Sequence, residues 1–292
     1  NEYGLFKDNH LLAGKTEESV YGRLGMRWVA PELREDRGEV EAARNGRLPR
    51  LIDTADVKGD LQCHTTASDG KNSIQAMANA ARDRGFAFLA VTDHSKRVTM
   101  ANGLNDERAL RHAEAIRKAD DKMSRFWLMA GIEVDILKTG KLDLKESTLE
   151  KMDWVVASIH YDRNMSKRAM TDRIVAAVGS GVIHCLGHPL GRIIGKREPL
   201  SVDLDRIYEA CVQHGVRLEI NCQPDRLDLP DIHCRNALEA GVQFTLGTDA
   251  HSTEGFQHIP LGVKVARRAW LEKKNVLNTR NIADLKKELE KR

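Results

Sequence analysis

The pattern of hydrophobic and polar positions changes near residue 57. From there, short apolar runs alternate with longer segments in which apolar residues recur at helical spacing. The runs predict strands at 57–61, 87–91, 127–134, 154–159, 183–186, 216–220 and 243–246. The segments between them predict helices at 73–84, 106–123, 167–178, 204–214 and 232–240. This alternation predicts an α/β fold with a parallel sheet, either closed as a barrel or open and doubly wound.

The sequence argues against an open sheet of the nucleotide-binding kind. A G-x-G-x-x-G turn does not follow the first predicted strand, and the chain has no phosphate-binding P-loop sequence. These are the motifs with which open α/β sheets commonly bind nucleotides.

Residues 1–56 have a different pattern, with many Gly and charged residues and only short apolar runs. They predict a partly irregular segment with helices near 18–24 and 40–45. So few apolar residues cannot form a core. We therefore expect this segment to lie on the following domain or to belong to a missing one. The first residue is Asn rather than Met, as expected of a chain that begins at a cut. At the other end, residues 282–292 predict a charged amphipathic helix that covers the domain.

Composition narrows the class of protein. A chain of 292 residues suits one large α/β domain, with or without a small appendage. Its net charge of +3 is too small to predict a nucleic-acid partner by itself. The sequence shows neither a membrane-spanning stretch nor a signal peptide. An odd number of cysteines without a C-x-x-C pair predicts buried, reduced thiols in a cytoplasmic protein: Cys63, Cys185, Cys211, Cys222 and Cys234.

Side chains able to bind metal follow nearly every predicted strand. In a parallel barrel these strand ends converge on the face that carries active sites. Imidazoles and carboxylates are good ligands for zinc, manganese or iron. The set is too large for one ion, which favours two or three ions that share Glu133 as a bridge. Clustered divalent ions suit hydrolysis of phosphate esters. The candidates are Gln62, His64, Asp69, His94, Glu133, His160, His188, Asp249 and His251.

Other polar residues are assigned lesser roles. Any single histidine is more often hydrogen-bonded than metal-bound, but that explanation does not cover so many at equivalent positions. We expect Asp93 and Asp135 to orient neighbouring ligands. The histidines without a strand-end position are predicted to be structural or exposed: His10, His112, His184, His214, His233 and His258.

The motifs around these ligands resemble those of the polymerase-and-histidinol-phosphatase (PHP) family. The resemblance covers about residues 57–275 in order, and it implies a distorted (β/α)7 barrel. The matching segments are Gly59-Asp60-Leu61 with His64-Thr65, Ser68-Asp69-Gly70, Thr92-Asp93-His94-Ser95, Gly187-His188-Pro189 and Thr248-Asp249-Ala250-His251-Ser252.

The first residues resemble the end of the polymerase thumb and the linker of bacterial family X DNA polymerases. This resemblance divides the chain into a thumb and linker remnant at 1–56 and a PHP barrel at 57–292. It rests on Glu2-Tyr3-Gly4-Leu5-Phe6, Pro31-Glu32-Leu33-Arg34-Glu35, Leu218-Glu219-Ile220-Asn221 and Arg226-Leu227-Asp228-Leu229.

The resemblance also implies how the ligands are shared. Gln62, His64, Glu133 and Asp249 would surround one ion. A second would be held by Glu133, His160 and His188, which would also hold the metal-bound hydroxide. A third would lie between Asp69, His94 and His251. Gln62 departs from the wider family, which usually has His there, and an amide binds transition metals more weakly than imidazole.

The implied activity is a manganese-dependent 3′→5′ exonuclease of DNA repair, with 3′-phosphatase or abasic-site cleavage as related reactions. Zinc or iron are the other candidate ions, and neither a membrane nor an organic cofactor is expected. The expected partner is DNA at 3′ ends and gaps, near the nucleoid in the cytoplasm. Candidate substrate-binding residues follow the fifth and sixth strands: Arg192, Lys196, Arg197, Asn221 and Arg226.

Two other functions fit the same motifs. One is a small-molecule phosphatase of the histidinol-phosphate type. The other is a DNA-positioning module without catalysis, which the departure at Gln62 favours. Arg267, Arg268, Lys273 and Lys274 are expected to lie on the plain surface.

Overall fold

The structure is a computed structural model that describes residues 1–290. It begins with a β-hairpin, β1 (Leu5–Lys7) paired antiparallel with β2 (His10–Ala13). Asp8 and Asn9 form the turn with positive φ angles of 49° and 63°. Asp and Asn tolerate this conformation better than most residues, which favours a tight hairpin there. The sequence analysis predicted no strand in this region.

Two short helices complete the N-terminal segment, α1 (Glu17–Arg23) and α2 (Glu39–Arg44). Both lie within one residue of their predicted positions. Their apolar residues do not form a core of their own. They pack with Trp270 of the barrel in one cluster that contains Val29, Ala30, Leu33, Ala42 and Ala43.

Arginines after the last strand fix this segment to the barrel. Arg267 Nε pairs with Glu32 at 2.7 Å, and Arg267 Nη1 donates to the Ile52 carbonyl at 2.9 Å. Arg268 pairs with Glu35 at 2.7 Å. The expectation that Arg267 and Arg268 are plain surface was therefore wrong. Their partners lie more than two hundred residues away in the chain, and no local pattern reveals such pairs.

Seven parallel strands form the barrel wall, and each hydrogen-bonds to the next in chain order. Every predicted strand is present within two residues of its expected bounds, and the closed form is the one adopted. The strands are β3 (Gly59–Cys63), β4 (Phe88–Val91), β5 (Trp127–Asp135), β6 (Trp154–Ser158), β7 (Cys185–Leu186), β8 (Arg217–Asn221) and β9 (Phe244–Gly247).

At least one helix follows each barrel strand in the chain, and several begin where a polar side chain accepts a hydrogen bond from the first turn. Ser73, Asn105, Ser166 and Asn281 cap helices in this way. The helices are α3 (Ile74–Asp83), α4 (Asp106–Asp120), α5 (Glu146–Leu149), α6 (Lys167–Val178), α7 (Leu204–His214), α8 (Asp231–Glu239), α9 (Ile259–Arg268) and α10 (Ile282–Leu289).

Short 3₁₀ turns fill several connections, and the sequence analysis predicted neither these nor α5 and α9. The turns are Pro31–Leu33, Thr54–Asp56, Thr99–Ala101, Thr253–His258, Lys273–Asn275 and Leu277–Thr279. Each helix in the described part of the chain is too short or too polar to cross a membrane. All five cysteines are buried thiols.

The barrel closes between β9 and β3 in two ways. Near the carboxyl end, the Asp249 amide donates to Gln62 O at 3.0 Å, and the His64 amide donates to Ala250 O at 2.9 Å. Further from the carboxyl end, the buried side chain of Asn278 takes the place of direct backbone hydrogen bonds between β9 and β3. Its amide group donates to Gly59 O at 2.9 Å and Leu246 O at 2.8 Å, and its oxygen accepts from the Leu246 amide at 2.7 Å.

Asn278→Ala is expected to lower the free energy of unfolding by about 3 kcal/mol, because three buried backbone groups lose their partner. Urea denaturation measures this loss. The matched control is Asn281→Ala, which removes an exposed cap on α10 and should cost about 1 kcal/mol. Equal losses in the two variants would contradict a closing role for Asn278.

Candidate metal centre

Metal-binding side chains converge at the carboxyl end of the barrel. The first ligands come from β3 and the loop after it, and others follow β4, β6, β7 and β9. Glu133 lies within β5, and the His94 backbone forms a parallel bridge with it. The contacts bring together eight predicted ligands, which we call the ligand ring: His64, Asp69, His94, Glu133, His160, His188, Asp249 and His251.

Glu133 lies at the centre of the ligand ring, and four imidazoles face its carboxylate. His94 Nδ1 is 2.8 Å from Oε2, and His64 Nε2 is 3.7 Å from the same oxygen. On the other side, His188 Nε2 is 3.0 Å and His160 Nε2 is 3.6 Å from Oε1. Each carboxylate oxygen thus faces a different pair of histidines, which is the arrangement that a bridging carboxylate needs.

A second carboxylate, Asp249, faces the other side of His64. His64 Nε2 is 3.0 Å from Asp249 Oδ1. The His64 ring stacks between the rings of His94 and His251, with centroids 4.3 Å from each. Asp69 lies between the same two histidines, 3.6 Å from His94 Nε2 and 3.4 Å from His251 Nε2.

The side chains whose metal-binding atoms lie closest together form two groups. One contains His64, Asp69, His94 and His251, and the other contains His94, Glu133 and His160. The resemblance implies three sets instead. In the structure, His64 belongs to the same group as Asp69, and His94 belongs to both groups. Because His94 belongs to both groups, the two groups are contiguous.

The ring fits divalent ions by two criteria. Ligand atoms on one tetrahedral zinc-like ion lie about 3.4 Å apart. The Glu133 to histidine distances of 2.8 to 3.7 Å are close to this value. Both Glu133 oxygens are also buried and accept no hydrogen bond of good geometry from residues 1–290. Burying a carboxylate is costly, and a bound cation would compensate it together with the histidines that face it.

Burial and neighbouring charges together set the ionisation of Glu133 and of several histidines in the ring. Burial opposes ionisation of Glu133, but the His94 and His160 charges outweigh it, and the pKa of Glu133 lies well below its usual range. For His251, burial favours the neutral ring, but hydrogen bonding to Asp69 prevails and raises its pKa to about 9. Burial also lowers the pKa of His64 and His188, which favours the neutral imidazole, the form that can bind a metal ion.

Asp135 orients His160. Its Oδ1 accepts from the His160 backbone amide at 3.0 Å and is 3.0 Å from His160 Nδ1, which leaves Nε2 toward Glu133. Its other oxygen is 3.0 Å from Arg97 Nε. A carboxylate behind a metal-binding imidazole fixes the ring and its tautomer, which is the role predicted for Asp135.

Asp93 fixes the loop that carries Asp69. It accepts hydrogen bonds from the Thr65 amide at 2.9 Å and the Thr65 hydroxyl at 2.7 Å, and Ser68 also donates to it. His112 Nε2 lies 2.7 Å from its Oδ2. Burial opposes ionisation of Asp93, but His112 prevails and the pKa of Asp93 falls to about 2. Asp93 therefore positions the ring without facing it.

Two residues of the ligand ring have a strained backbone. His188 has φ 26° and Asp249 has φ 52°, in the left-handed region that few residues other than Gly adopt. Such strain costs about 1–3 kcal/mol and is found mostly at functional sites. The preceding Gly187 permits close packing, since a Cβ there would lie 2.6 Å from Ser158 Oγ.

Gln62 lies in β3 beside the ring. Its side-chain oxygen and nitrogen are buried and have no hydrogen-bond partner in the described structure. An amide in that state is costly, and a metal ligand role would satisfy its oxygen. The geometry is compatible with the predicted ligand role, and the Gln62 carbonyl accepts a hydrogen bond from the Asp249 amide at 3.0 Å.

Gln62→His is expected to increase the affinity for Zn²⁺, because an imidazole binds transition metals more strongly than an amide. Competition with a chromogenic chelator measures the affinity. Gln75→His, on the exposed face of α3, is the matched control. Unchanged affinity in Gln62→His would argue that position 62 does not face an ion.

A cavity of about 470 Å³ opens above the ring, with Arg197 and Arg226 in its lining. Arg226 Nε lies 3.6 Å from Asp249 Oδ2. A Cβ on Gly191 would lie 2.3 Å from Arg163 Nη1, and Arg197 Nε donates to Gly191 O at 2.9 Å, so these two guanidinium groups approach the same residue. Burial and the charges of Arg197 and Arg226 lower the pKa of Arg163 to about 10. Such a cluster attracts an anion with several oxygens, such as a phosphate diester.

The other predicted substrate-binding residues have different positions. Arg192 donates to the Arg226 and Leu227 carbonyls at 2.8 and 2.6 Å, so it supports the loop. Asn221 is fully buried and donates to Asp249 at 3.2 Å, beneath the ring. Lys196 is exposed in the turn between Ile193 and Arg197. Arg163, which the sequence analysis missed, has no strand-end position to reveal it.

Comparison with known proteins supplies the family. The PHP domain model matches residues 60–223. The chain belongs to the PHP family. A second model, the DNA polymerase beta thumb, matches residues 1–35 and overlaps the hairpin, α1 and the first 3₁₀ turn. The predicted family and the polymerase-like N-terminus are thereby confirmed.

Two curated relatives extend this result. DNA polymerase/3'-5' exonuclease PolX of Bacillus subtilis is 36% identical over 98% of this chain and 50% of that protein. The chain thus spans about half the length of that relative. The protein named Probable phosphatase VF_A0065 of Aliivibrio fischeri is 25% identical over 75% of this chain and 88% of its own.

A solved structure agrees with the barrel. Histidinol phosphate phosphatase from Lactococcus lactis, complexed with zinc, L-histidinol and phosphate, superposes with a TM-score of 0.56 at 17% identity. The match covers 73% of this chain and 93% of that one. At this identity the comparison supports the fold alone, and it confirms the predicted (β/α)7 barrel.

Proposed function

We propose that this chain is a metal-dependent phosphoesterase acting on DNA 3′ ends, with 3′→5′ exonuclease activity as its principal reaction. Removal of a 3′ phosphate and cleavage at abasic sites are related reactions of the same centre. In this proposal, residues 1–56 are the thumb and linker remnant of a family X DNA polymerase and residues 57–292 are its PHP barrel. In this proposal, the activity serves DNA repair at the nucleoid.

The observation that carries the proposal is the ligand ring beside a cluster of arginines. The ring is suited to two or three divalent ions, and Mn²⁺ is the ion we propose for activity. His64, Asp69, His94, Glu133, His160, His188, Asp249 and His251 would hold them, with Gln62 as a further ligand. When bound, such ions lower the pKa of water and neutralise phosphate oxygens.

The chain's own residues would do the rest. Glu133, His160 and His188 define the floor on which the scissile phosphate lies. Arg226 and Arg197, in the cavity above, would hold its non-bridging oxygens and reduce their charge. Asp135 and Asp93 keep the ring in place, so little reorganisation is needed when substrate binds.

The N-terminal segment favours DNA over a small molecule. It matches a polymerase thumb and is fixed to the barrel by Arg267 and Arg268. A chain of this kind would hold the barrel close to the DNA end that the polymerase uses. The similarity to the Bacillus subtilis exonuclease supports the same substrate.

The test is an assay on a 5′-labelled oligonucleotide with Mn²⁺, Zn²⁺ or a chelator, in parallel with histidinol phosphate. Stepwise shortening from the 3′ end with Mn²⁺, abolished by the chelator, is the expected result. Turnover of histidinol phosphate alone would support the small-molecule phosphatase instead. DNA binding without turnover at any metal concentration would support a positioning module.

A further inference from the structure

The cavity above the ligand ring is not polar throughout. Besides the ring and the arginines, its lining contains four residues with apolar surface: Val98, Met100, Ala101 and Tyr161. At about 470 Å³ it lies within the size range of small-ligand pockets, of roughly 300–1,000 Å³. A phosphate group on the floor would leave room for a further group against this apolar part.

Met100 is the most exposed large apolar side chain that the structure describes, at 92%. An isolated exposed methionine carries no meaning by itself. This one, however, lies in the 3₁₀ turn Thr99–Ala101, beside two residues that are almost fully buried, Val98 and Ala101. It therefore continues an apolar wall into solvent at the entrance to the site.

The turn that carries Met100 is anchored to the ring. The Leu104 amide donates to the carbonyl of the ligand His94 at 2.7 Å, and the Val98 amide donates to Ser95 O at 3.1 Å. Gly103 is required for this packing, because a Cβ there would lie 1.9 Å from Ser95 O. These hydrogen bonds tie the backbone on both sides of Met100 to the segment that contains His94.

Tyr161 is also fixed from behind. The Arg97 guanidinium lies 5.4 Å from the centre of its ring. Arg97 is itself held by Asp135 at 3.0 Å and by Asp162, and its backbone amide donates to Asp143 at 2.8 Å. An aromatic ring immobilised in this way next to the ligand His160 loses little entropy when a flat group stacks on it.

We propose that Tyr161 and Met100 form a stacking platform for the base of the nucleotide at the DNA 3′ end, a proposal that rests on the exonuclease function above. Bases of all four kinds have a π-face, so a platform that binds them by stacking accepts each of them. That tolerance is what stepwise degradation of mixed sequence requires. The platform keeps the terminal nucleotide in place while the arginines hold its phosphate.

The test compares two 5′-labelled oligonucleotides that differ only at the 3′-terminal residue, which carries either a base or a tetrahydrofuran abasic analogue. The measured quantity is the ratio of kcat/KM for release of that residue with and without the base. A ratio of roughly 5 to 160 is expected, because stacking of one base on an aromatic side chain is worth about 1–3 kcal/mol and each 1.36 kcal/mol is tenfold.

Tyr161→Ala and Met100→Ala should each move this ratio toward one, and Tyr161→Phe should retain it because the ring is kept. Val212→Ala removes a side chain on α7 that is 49% exposed and serves as the matched control. Since Met100 is almost fully exposed, its variant tests the platform without a folding defect. Faster release of purines than of pyrimidines is also expected, as purines have the larger faces.

Each contrary outcome has a separate meaning. If the unmodified protein releases base-bearing and abasic residues equally well, the platform is wrong and the exonuclease function stands. A ratio that does not change in either alanine variant also overturns the platform. If no oligonucleotide is shortened, the exonuclease function fails and the platform fails with it.

Discussion

Glu133→Gln is expected to lower metal-dependent hydrolysis by about 10³-fold or more, equivalent to roughly 4 kcal/mol in the barrier. The substitution preserves the shape of the side chain but removes its charge. Four imidazoles face this carboxylate, and its pKa lies well below the usual range because the charges of His94 and His160 outweigh the effect of burial. The ions would lose the carboxylate at the centre of the ring, which we propose as their bridge.

The loss of activity should be accompanied by a loss of bound metal. Elemental analysis of protein purified without chelator measures the stoichiometry, and the oligonucleotide assay with Mn²⁺ measures the rate. Glu39→Gln is the matched control, since Glu39 is also buried but accepts its hydrogen bonds from Asp36 and Arg37 in the N-terminal segment. Thermal unfolding in the presence of a chelator separates a metal effect from a folding effect.

Full activity in Glu133→Gln would contradict a bridging role and the polynuclear centre with it. Loss of activity with a full complement of metal would have a different meaning. The carboxylate would then act on substrate or water rather than on the ions. Loss of both metal and activity is the expected combination.

The ligand ring was predictable because chain order and geometry are linked in a parallel barrel. Each apolar run gives a strand, and the polar residue after it must lie at the same end of the sheet. His160 and His188 therefore meet Glu133, although the three residues belong to or follow three different strands. Which ligands share an ion was not predictable, because that depends on differences of about one ångström.

The apolar and basic rim of the site could not be found in the same way. Met100 and Tyr161 lie in loops, and only the anchoring of those loops to His94 and Arg97 shows their position. Arg163 follows β6 at a distance and meets Arg197 only in the folded chain. Charge and spacing in the sequence give no indication of these contacts.

The missed helix α9 has a specific cause. Pro260 and Gly262 lie in its sequence, and both residues argue against a helix when only propensity is considered. Pro260 is tolerated because it lies in the first turn. Gly262 is there for packing, since a Cβ would lie 2.3 Å from Cys222 Sγ beyond the end of β8. Tertiary contact therefore overrode local preference.

Arg226→Ala is expected to lower kcat/KM for DNA by roughly 10²- to 10³-fold, the effect of removing one donor that is aimed at a developing charge. Arg226 lines the cavity above the ring and also a second cavity of about 390 Å³ on the side of His251 and Gln223. Its Nη1 is buried and has no hydrogen-bond partner within residues 1–290. A guanidinium in that position is available to a phosphate.

A measurement of bound metal distinguishes the effect of Arg226→Ala from the effect of Glu133→Gln. Removing a positive charge beside Asp249 should leave metal binding intact or strengthen it, so the variant should retain its ions while losing activity. Arg226→Lys keeps the charge but not the two-pronged geometry, and its rate should lie between those of Arg226→Ala and the unmodified protein.

Two other cations of the same region serve as comparisons. Lys196→Ala removes an exposed charge and should give a small loss that disappears at high salt. Arg192→Ala removes two hydrogen bonds to the loop carbonyls, so its main effect should be lower stability. If Arg226→Ala behaved like Lys196→Ala, with a small and salt-dependent loss, the phosphate would have to be held elsewhere. A large loss at every salt concentration, with metal retained, is the result that a direct contact with the scissile phosphate requires.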